Sequence, residues 1–241
     1  MRVIGPSPLI RDAAAVLEPI KDDVIVIGAV AVQVALDGAN VALTPTRDVD
    51  AGVETDVVQR VVTHLQGQGM KRSDLPHERA FTWVTGDLKV QLLRPFHPFP
   101  KGAARGLPES NIISELPSHR VLVAFVEEPE HGQFWAASPA ALIVLKGAAF
   151  GRTRHTGESV DRDFSDVMLL LDHLGPEIAR EVAAPSQMRG RVKQAAERLL
   201  EEDALAAAAR ELVSTNQEAT QRTAEAAVQR AAQRMLRRLE P

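Results

Sequence analysis

The chain has 241 residues, which is enough for one large domain or two small ones with a buried core. Hydrophobic residues make up 45% and charged residues 25% of the sequence, as is ordinary for a soluble globular protein. The absence of cysteine excludes disulfides and thiolate metal sites. The net charge of −4 provides no overall positive field for nucleic acid, so any such contact would need local basic patches.

The hydrophobic segments are too short for a membrane protein. The longest apolar run, residues 24–36, is interrupted by Gln33 and falls short of the roughly 20 residues that span a bilayer. The N-terminal residues lack the apolar stretch and the cleavage site of a signal peptide. We therefore expect a cytoplasmic protein with no membrane partner.

The first part of the sequence predicts helices and strands in alternation. Apolar residues at helical spacing predict a helix over residues 9–20. Four consecutive β-branched residues at 24–27 predict a buried strand that runs into a turn at Gly28. The alanine-rich residues 29–36 predict a short helix packed against that strand, with Gly38 as its C-cap.

Further strands and one more helix are predicted before residue 130. Residues 46–53 alternate between polar and apolar, which predicts a half-buried strand, and an apolar stripe over 57–65 predicts an amphipathic helix. Gly86-Asp87 predicts a two-residue hairpin turn, and the Pro- and Gly-rich residues 94–118 predict a loop or an irregular crossing. The remaining strands are predicted over 79–85, 88–93 and 120–126.

From Ser138 onward the sequence predicts only helices. Ser138 is a good N-cap and Pro139 a good first helical residue, so a helix is expected to run from there to residue 150. A second helix is predicted over 161–174, and residues 178–239 predict two or three more. The expected fold is therefore α+β, with a mixed sheet and flanking helices in residues 1–135 and a helical C-terminal lobe in residues 136–241.

The residues with the clearest chemical potential are Asp48 and Asp50. At i and i+2 on a strand, the two carboxylates lie on one face a few ångströms apart. Unpaired, they repel each other, and a divalent cation removes that conflict. Mg²⁺ prefers a few carboxylates together with phosphate oxygens and water. The alternative is that both are solvated residues on an exposed strand face.

The surroundings of the aspartate pair resemble a known superfamily. A β-branched strand, Gly28, an alanine-rich helix and then Thr46-Arg47-Asp48-Val49-Asp50 on the next strand follow in that order. This order resembles the nucleotidyltransferase superfamily, in the form found in the AbiEii/MenT-type toxin nucleotidyltransferases of bacterial toxin–antitoxin systems. Lys146 in an apolar helix, followed by Arg162-Asp163-Phe164-Ser165-Asp166, is similar to the later motif of that group. The resemblance covers roughly residues 24 to 174.

The resemblance implies a nucleotidyltransferase fold whose C-terminal lobe completes the active-site cleft. It implies Mg²⁺ or Mn²⁺ at Asp48 and Asp50, with Lys146, Asp163 and Asp166 as further catalytic residues. The expected nucleotide-binding residues are Gly28, Ala29, Thr46 and Arg47. The implied activity is transfer of a nucleoside monophosphate from a nucleoside triphosphate to the tRNA 3′ end or another RNA, and the implied protein partner is a cognate antitoxin.

Two other functions remain open. The acceptor could be a small molecule such as an antibiotic, or the chain could be a catalytically inactive nucleotide-binding member. Two departures favour inactivity: Ala29 stands where relatives often carry Gly or Ser, and Gln91 stands where many carry a third carboxylate. An amide is a poor Mg²⁺ ligand.

Several of these residues also have ordinary structural explanations. Lys146 could extend its ammonium from the edge of the core into solvent. Asp163 and Asp166 could complement a helix dipole, and Thr46 could simply favour a strand. Arginines along one face of the last predicted helix could contact nucleic acid or only solvent; they are Arg230, Arg234, Arg237 and Arg238.

Overall fold

The computed structural model describes residues 1–5, 7–39, 41, 46, 48–95, 105–107, 112–127, 132–150, 158–184, 186–216 and 219–240. The chain divides into two compact units. The first comprises Met1–Asp37 and Pro45–Ser138, and the second comprises Gly38–Thr44 and Pro139–Pro241. The main division thus falls after Ser138, where the sequence prediction had placed it after residue 135, and Gly38–Thr44 groups with the second unit.

The first unit is built on one mixed sheet. Its strands are β1 (Arg2–Ile4), β2 (Val24–Ile27), β3 (Asp48–Val53), β4 (Lys71–Arg72), β5 (Thr82–Thr85), β6 (Leu88–Pro95), β7 (Arg105–Leu107), β8 (Arg120–Phe125) and β9 (Phe134–Ala137). Their order across the sheet is β1-β8-β9-β2-β3-β6-β5-β4, and β7 pairs with the end of β6. The predicted α+β class is confirmed. The short strands β1, β4, β7 and β9 were not predicted, because none has the run of β-branched residues that marks β2 or enough length to show alternation.

The structure describes four helices in the first unit, of which the first three lie close to their predicted positions and the fourth was not predicted. They are α1 (Pro8–Leu17), α2 (Gly28–Ala35), α3 (Val58–Gly67) and α4 (Ile112–Glu115), with 3-10 turns at Glu18–Ile20 and Leu116–Ser118. Ser7 caps α1 by accepting a hydrogen bond from the N–H of Ile10. The prediction of an irregular segment over 94–118 was wrong at its end, because Ile112 and Ile113 are both buried and anchor a helical turn.

The centre of the sheet positions the candidate site. All four residues of β2 are buried, and β2 is antiparallel to β3 with Ile27 opposite Asp50. On the other side β3 is parallel to β6, which places Asp48 opposite Lys89 and Asp50 opposite Gln91. The carboxyl end of β2, the start of β3 and the start of β6 therefore lie side by side.

The second unit is helical, as predicted. Its helices are α5 (Pro139–Phe150), α6 (Glu158–Glu181), α7 (Gln187–Arg198), α8 (Glu202–Thr215) and α9 (Gln221–Arg238). Helix α6 packs against α5, α8 and α9. The predicted end of α6 at residue 174 was wrong, since the helix continues through Pro176. Pro176 lacks an N–H donor and its ring crowds the carbonyl of residue i−4, but the fully buried Ile178 holds the following turn in the core.

Among the described residues, no helix combines the length and the apolar character that a membrane crossing requires.

Candidate active site

Asp48 and Asp50 lie on one face of β3, as the alternation predicted. Both are partly exposed, whereas Val49 and Ala51 between and beyond them are fully buried. Strand geometry explains the pattern, because successive side chains point to opposite faces of the sheet. The two carboxylates are therefore neighbours on the accessible face, where they can meet a ligand.

Gly28 is the residue that admits the Asp50 carboxylate. Its backbone has φ of +69°, in the left-handed region that favours glycine. A β-carbon built on Gly28 would lie 2.9 Å from Cγ and 3.0 Å from Cβ of Asp50, and closer still to a carboxylate oxygen. The space that any other side chain would take is thus filled by Asp50. Because Ile27 pairs with Asp50 across β2 and β3, this contact follows from the register of the sheet.

The Asp48 carboxylate is held from the neighbouring strand β6. Gln91 donates a hydrogen bond from Nε2 to Asp48 Oδ2 over 2.9 Å. Lys89 Nζ lies 3.6 Å from the same oxygen. One oxygen of Asp48 therefore already faces two donors, and the carboxylate has a defined orientation on the sheet face.

Lys89 is itself anchored by Glu78. The distance from Lys89 Nζ to Glu78 Oε1 is 2.5 Å, and Ser73 donates a hydrogen bond to the other carboxylate oxygen over 2.9 Å. The hydrogen bond from Lys89 holds the pKa of Glu78 below its usual value. Burial alone would lower the pKa of Lys89, but Glu78 and the charge of Asp48 raise it above its usual value. The ammonium therefore stays charged beside Asp48.

The other expected nucleotide-binding residues differ in what the structure says of them. Ala29 is the second residue of α2 and is partly exposed. Thr46 precedes β3, which begins at Asp48, so the prediction that β3 starts at residue 46 was wrong. The Thr46 hydroxyl lies 3.4 Å from the backbone nitrogen and 3.3 Å from the carbonyl oxygen of Asp48, which is a local interaction between side chain and backbone. Arg47 lies outside the described residues.

Lys146, Asp163 and Asp166 form one cluster within the second unit. Lys146 Nζ lies 2.7 Å from Asp163 Oδ1 and 2.7 Å from Asp166 Oδ2. The three side chains are only 11%, 25% and 11% exposed, in that order. Aspartates at i and i+3 on α6 share a helix face, and Lys146 on α5 meets both. The interpretation of Lys146 as a lysine that extends into solvent was wrong, because the buried Asp166 and the partly buried Asp163 bind its ammonium.

Burial and the neighbouring charges have opposite effects on the pKa values of this cluster. Burial disfavours the ammonium, but the charges of Asp166 and Asp163 outweigh it and raise the pKa of Lys146 above its usual value. Burial also raises the pKa of Asp166, and Lys146 only partly opposes this effect. One ammonium thus lies between two carboxylates, and the positive charge of Arg162 also acts on Asp166.

Two arginines that could have faced nucleic acid, Arg234 of α9 and Arg189 of α7, bind other parts of the second unit. Arg234 forms an ion pair with Asp172 of α6. Arg189, at the start of α7, donates hydrogen bonds to the carbonyl oxygens of Ala183 and Leu239 over 3.0 and 2.7 Å. These contacts fasten the helices of the second unit to one another.

The sequence did not indicate Lys89 and Glu78 as site residues. Lys89 alternates with buried residues on β6, which was the available signal, but its position opposite Asp48 depends on the parallel register. Glu78 precedes β5 and reaches Lys89 through a turn that no pattern in the sequence specified.

Within the described residues, no three His, Cys, Asp or Glu side chains converge into a group that could hold a metal ion. Comparison of the chain with profiles of known protein families, with curated proteins and with solved structures found no match.

Proposed function

We propose that this chain is a Mg²⁺-dependent nucleotidyltransferase that transfers a nucleoside monophosphate from a nucleoside triphosphate to an RNA hydroxyl. The observation that carries the proposal is the seating of Asp50 against Gly28, with Asp48 beside it on the same sheet face. A glycine that must lack a side chain so that a carboxylate can approach a helix start has little purpose in an ordinary solvated strand. The nucleotidyltransferase-type sheet forms part of this proposal.

The donor set of the aspartate pair fits a magnesium ion. Two carboxylates on one face leave room for phosphate oxygens and water, which Mg²⁺ prefers as its other ligands. Asp50 occupies the space left by the missing side chain of Gly28, and Gln91 orients Asp48 through a hydrogen bond. When bound, Mg²⁺ (or Mn²⁺) at these residues would supply charge stabilisation for a triphosphate.

The residues of the chain then have definite tasks. Asp48 and Asp50 hold the cation, and the start of α2, with Gly28 and Ala29, offers a positive dipole end to an anionic phosphate. In the reaction, the acceptor oxygen forms a bond to the α-phosphorus, the bond from that phosphorus to the bridging oxygen breaks, and pyrophosphate leaves. The proton of the acceptor hydroxyl passes to a base or to solvent.

The proposed acceptor and setting rest on the sequence resemblance. We propose the tRNA 3′ end as the acceptor, a toxin–antitoxin pair with a cognate antitoxin as the setting, and the cytoplasm as the location. We further propose that Lys146, Asp163 and Asp166 contribute to catalysis, with Lys146 still charged beside its two carboxylates.

The direct test is incubation of the purified protein with Mg²⁺, total RNA and each α-labelled nucleoside triphosphate in turn. We expect one triphosphate to label RNA of tRNA length. Asp48→Asn and Asp50→Asn should each reduce labelling by about 100-fold or more, because each removes charge that holds the cation. Both variants should remain folded in a thermal melt, because each relieves repulsion between neighbouring carboxylates.

The exposed Asp74 supplies the matched control. Asp74→Asn removes the same charge from the same unit and should label RNA at the wild-type rate. Labelling by Asp50→Asn at the wild-type rate would contradict the metal assignment. Labelling of a small molecule but not of RNA would replace the acceptor and keep the reaction.

A second test concerns Thr46, whose hydroxyl lies against the backbone of Asp48. Thr46→Val loses only two long local hydrogen bonds and should keep most of the transfer activity. Thr46→Glu adds a negative charge beside two carboxylates, which should compete for the cation and block the triphosphate. Transfer rates and circular dichroism of the two variants measure this difference, and equal rates would leave Thr46 with a backbone role alone.

A further inference from the structure

We propose that the Asp48–Asp50 site binds a single divalent cation, and that Gln91 and Lys89 are the residues that exclude a second one. This inference rests on the proposed function and concerns the same site. It makes Gln91 and Lys89 positioning residues that set the metal content of the enzyme.

Gln91 occupies the position at which a second ion would need a carboxylate ligand. A second ion about 3.5–4 Å from the first needs carboxylate ligands of its own or shared ones. The parallel register places Gln91 directly opposite Asp50 on the same face, where a third carboxylate would complete such a pair. Gln91 instead directs its amide nitrogen at Asp48 Oδ2, at 2.9 Å. An N–H donor cannot ligate a metal, and the oxygen that it contacts is already engaged.

The positive charge of Lys89 lies close to Asp48 and disfavours a second cation there. Its ammonium lies 3.6 Å from the same Asp48 oxygen, and Glu78 fixes it there at 2.5 Å. The ammonium offers only donors and no lone pair to a metal. A second dication on this side of Asp48 would meet both a positive charge and a missing ligand.

The residue that pairs with Gln91 on the next strand also offers no anionic ligand. On β5, Thr82 lies opposite Gln91, so Asp50, Gln91 and Thr82 follow one another across three strands on one face. Thr82 is fully buried, and its hydroxyl has no hydrogen-bond partner among the described residues. The row thus runs from a carboxylate to an amide to a hydroxyl, and only its first member is an anionic ligand.

The consequence is a division of labour at the site. One cation held by Asp48 and Asp50 would supply charge stabilisation to the phosphates, while activation of the acceptor hydroxyl would have to come from protein groups or water. The same row of residues also indicates a substitution that would restore a second metal site. A glutamate at residue 91 would supply the missing carboxylate, and the unpaired Thr82 hydroxyl could donate a hydrogen bond to it.

The test counts Mn²⁺ ions by electron paramagnetic resonance in the complex with a non-hydrolysable nucleoside triphosphate analogue. Two Mn²⁺ ions about 3.5–4 Å apart couple and broaden each other's spectrum, whereas an isolated ion does not. We expect one uncoupled ion per wild-type complex and a coupled pair in Gln91→Glu. Gln66→Glu, an exposed change of the same kind on α3, should retain one ion.

A coupled pair in the wild-type protein would overturn the inference while leaving the proposed function intact. A single ion in a folded Gln91→Glu protein would overturn the role of Gln91. Asp50→Asn separates the two levels: it should lose the ion, and Mn²⁺ binding that does not depend on Asp50 would remove the proposed function together with this inference.

Discussion

Gly28→Ala is expected to lose at least about 10-fold in Mn²⁺ affinity, and nucleotide transfer with it, although the protein remains folded. The added β-carbon would stand 2.9 Å from Asp50 Cγ, so the carboxylate has to leave its seat. The left-handed backbone at φ +69° adds about 1–2 kcal/mol of strain for a residue with a side chain. Mn²⁺ titration, a transfer assay and a thermal melt measure the three effects.

Gly69→Ala is the matched control for this variant. Gly69 has φ of +77°, and a β-carbon there would meet no atom within 4 Å. The control therefore introduces the same backbone strain without the collision, and it should lose stability but retain Mn²⁺ binding. If both variants lose Mn²⁺ equally, or neither does, the approach of Asp50 to Gly28 is unimportant for the metal.

The sequence predicted the parts of the fold that have strong local patterns. The β-branched residues of β2, the apolar stripe of α3 and the glycine of the β5–β6 hairpin each specify one element by local chemistry. Gly86 has φ of +53° in that turn, as a two-residue hairpin requires. These elements depend little on what the rest of the chain does.

The sheet order could not be predicted in the same way. The partner of β3 on one side is β6, from which it is separated by a helix and two other strands. The contacts that distinguish the site, Gln91 and Lys89 on Asp48, exist only once that parallel register is formed. Asp48 and Asp50 were recognisable because their relation is local, whereas Lys89 and Glu78 acquire their roles through tertiary pairing.

The partners of Lys146 also depend on tertiary packing and could not be predicted from local sequence patterns. The sequence placed a lysine in an apolar helix and two aspartates on the next, and it left the partner of the ammonium open. Packing of α5 against α6 decides the matter, because it brings Nζ within 2.7 Å of both carboxylates. The ammonium of Lys146 therefore has two defined partners, and its removal should have a measurable effect on stability.

Lys146→Met is expected to reduce the free energy of unfolding by about 3–5 kcal/mol, since it leaves the buried carboxylates without their counter-ion. Lys193→Met is the matched control, because Lys193 is exposed and its pair with Glu197, at 3.7 Å, should contribute less than about 1 kcal/mol. Denaturant unfolding of the two variants compares them directly. Similar losses for both would show that the cluster does not depend on its ammonium.

The pH dependence of Lys146→Met identifies the cause of that loss. Burial already raises the pKa of Asp166 in the wild-type protein, and removal of the ammonium raises it further. A carboxyl whose pKa is higher in the folded than in the unfolded state takes up its proton first in the folded state, so stability increases as the pH falls through the folded pKa toward the unfolded pKa. Lys146→Met should therefore recover stability as the pH falls from neutral toward the ordinary aspartate pKa of about 4, more steeply than the wild type. Adding Asp166→Asn should recover part of the loss at pH 7 and flatten this dependence. If the double variant is less stable than Lys146→Met at pH 7, packing of the lysine stem and not the buried charge accounts for the loss.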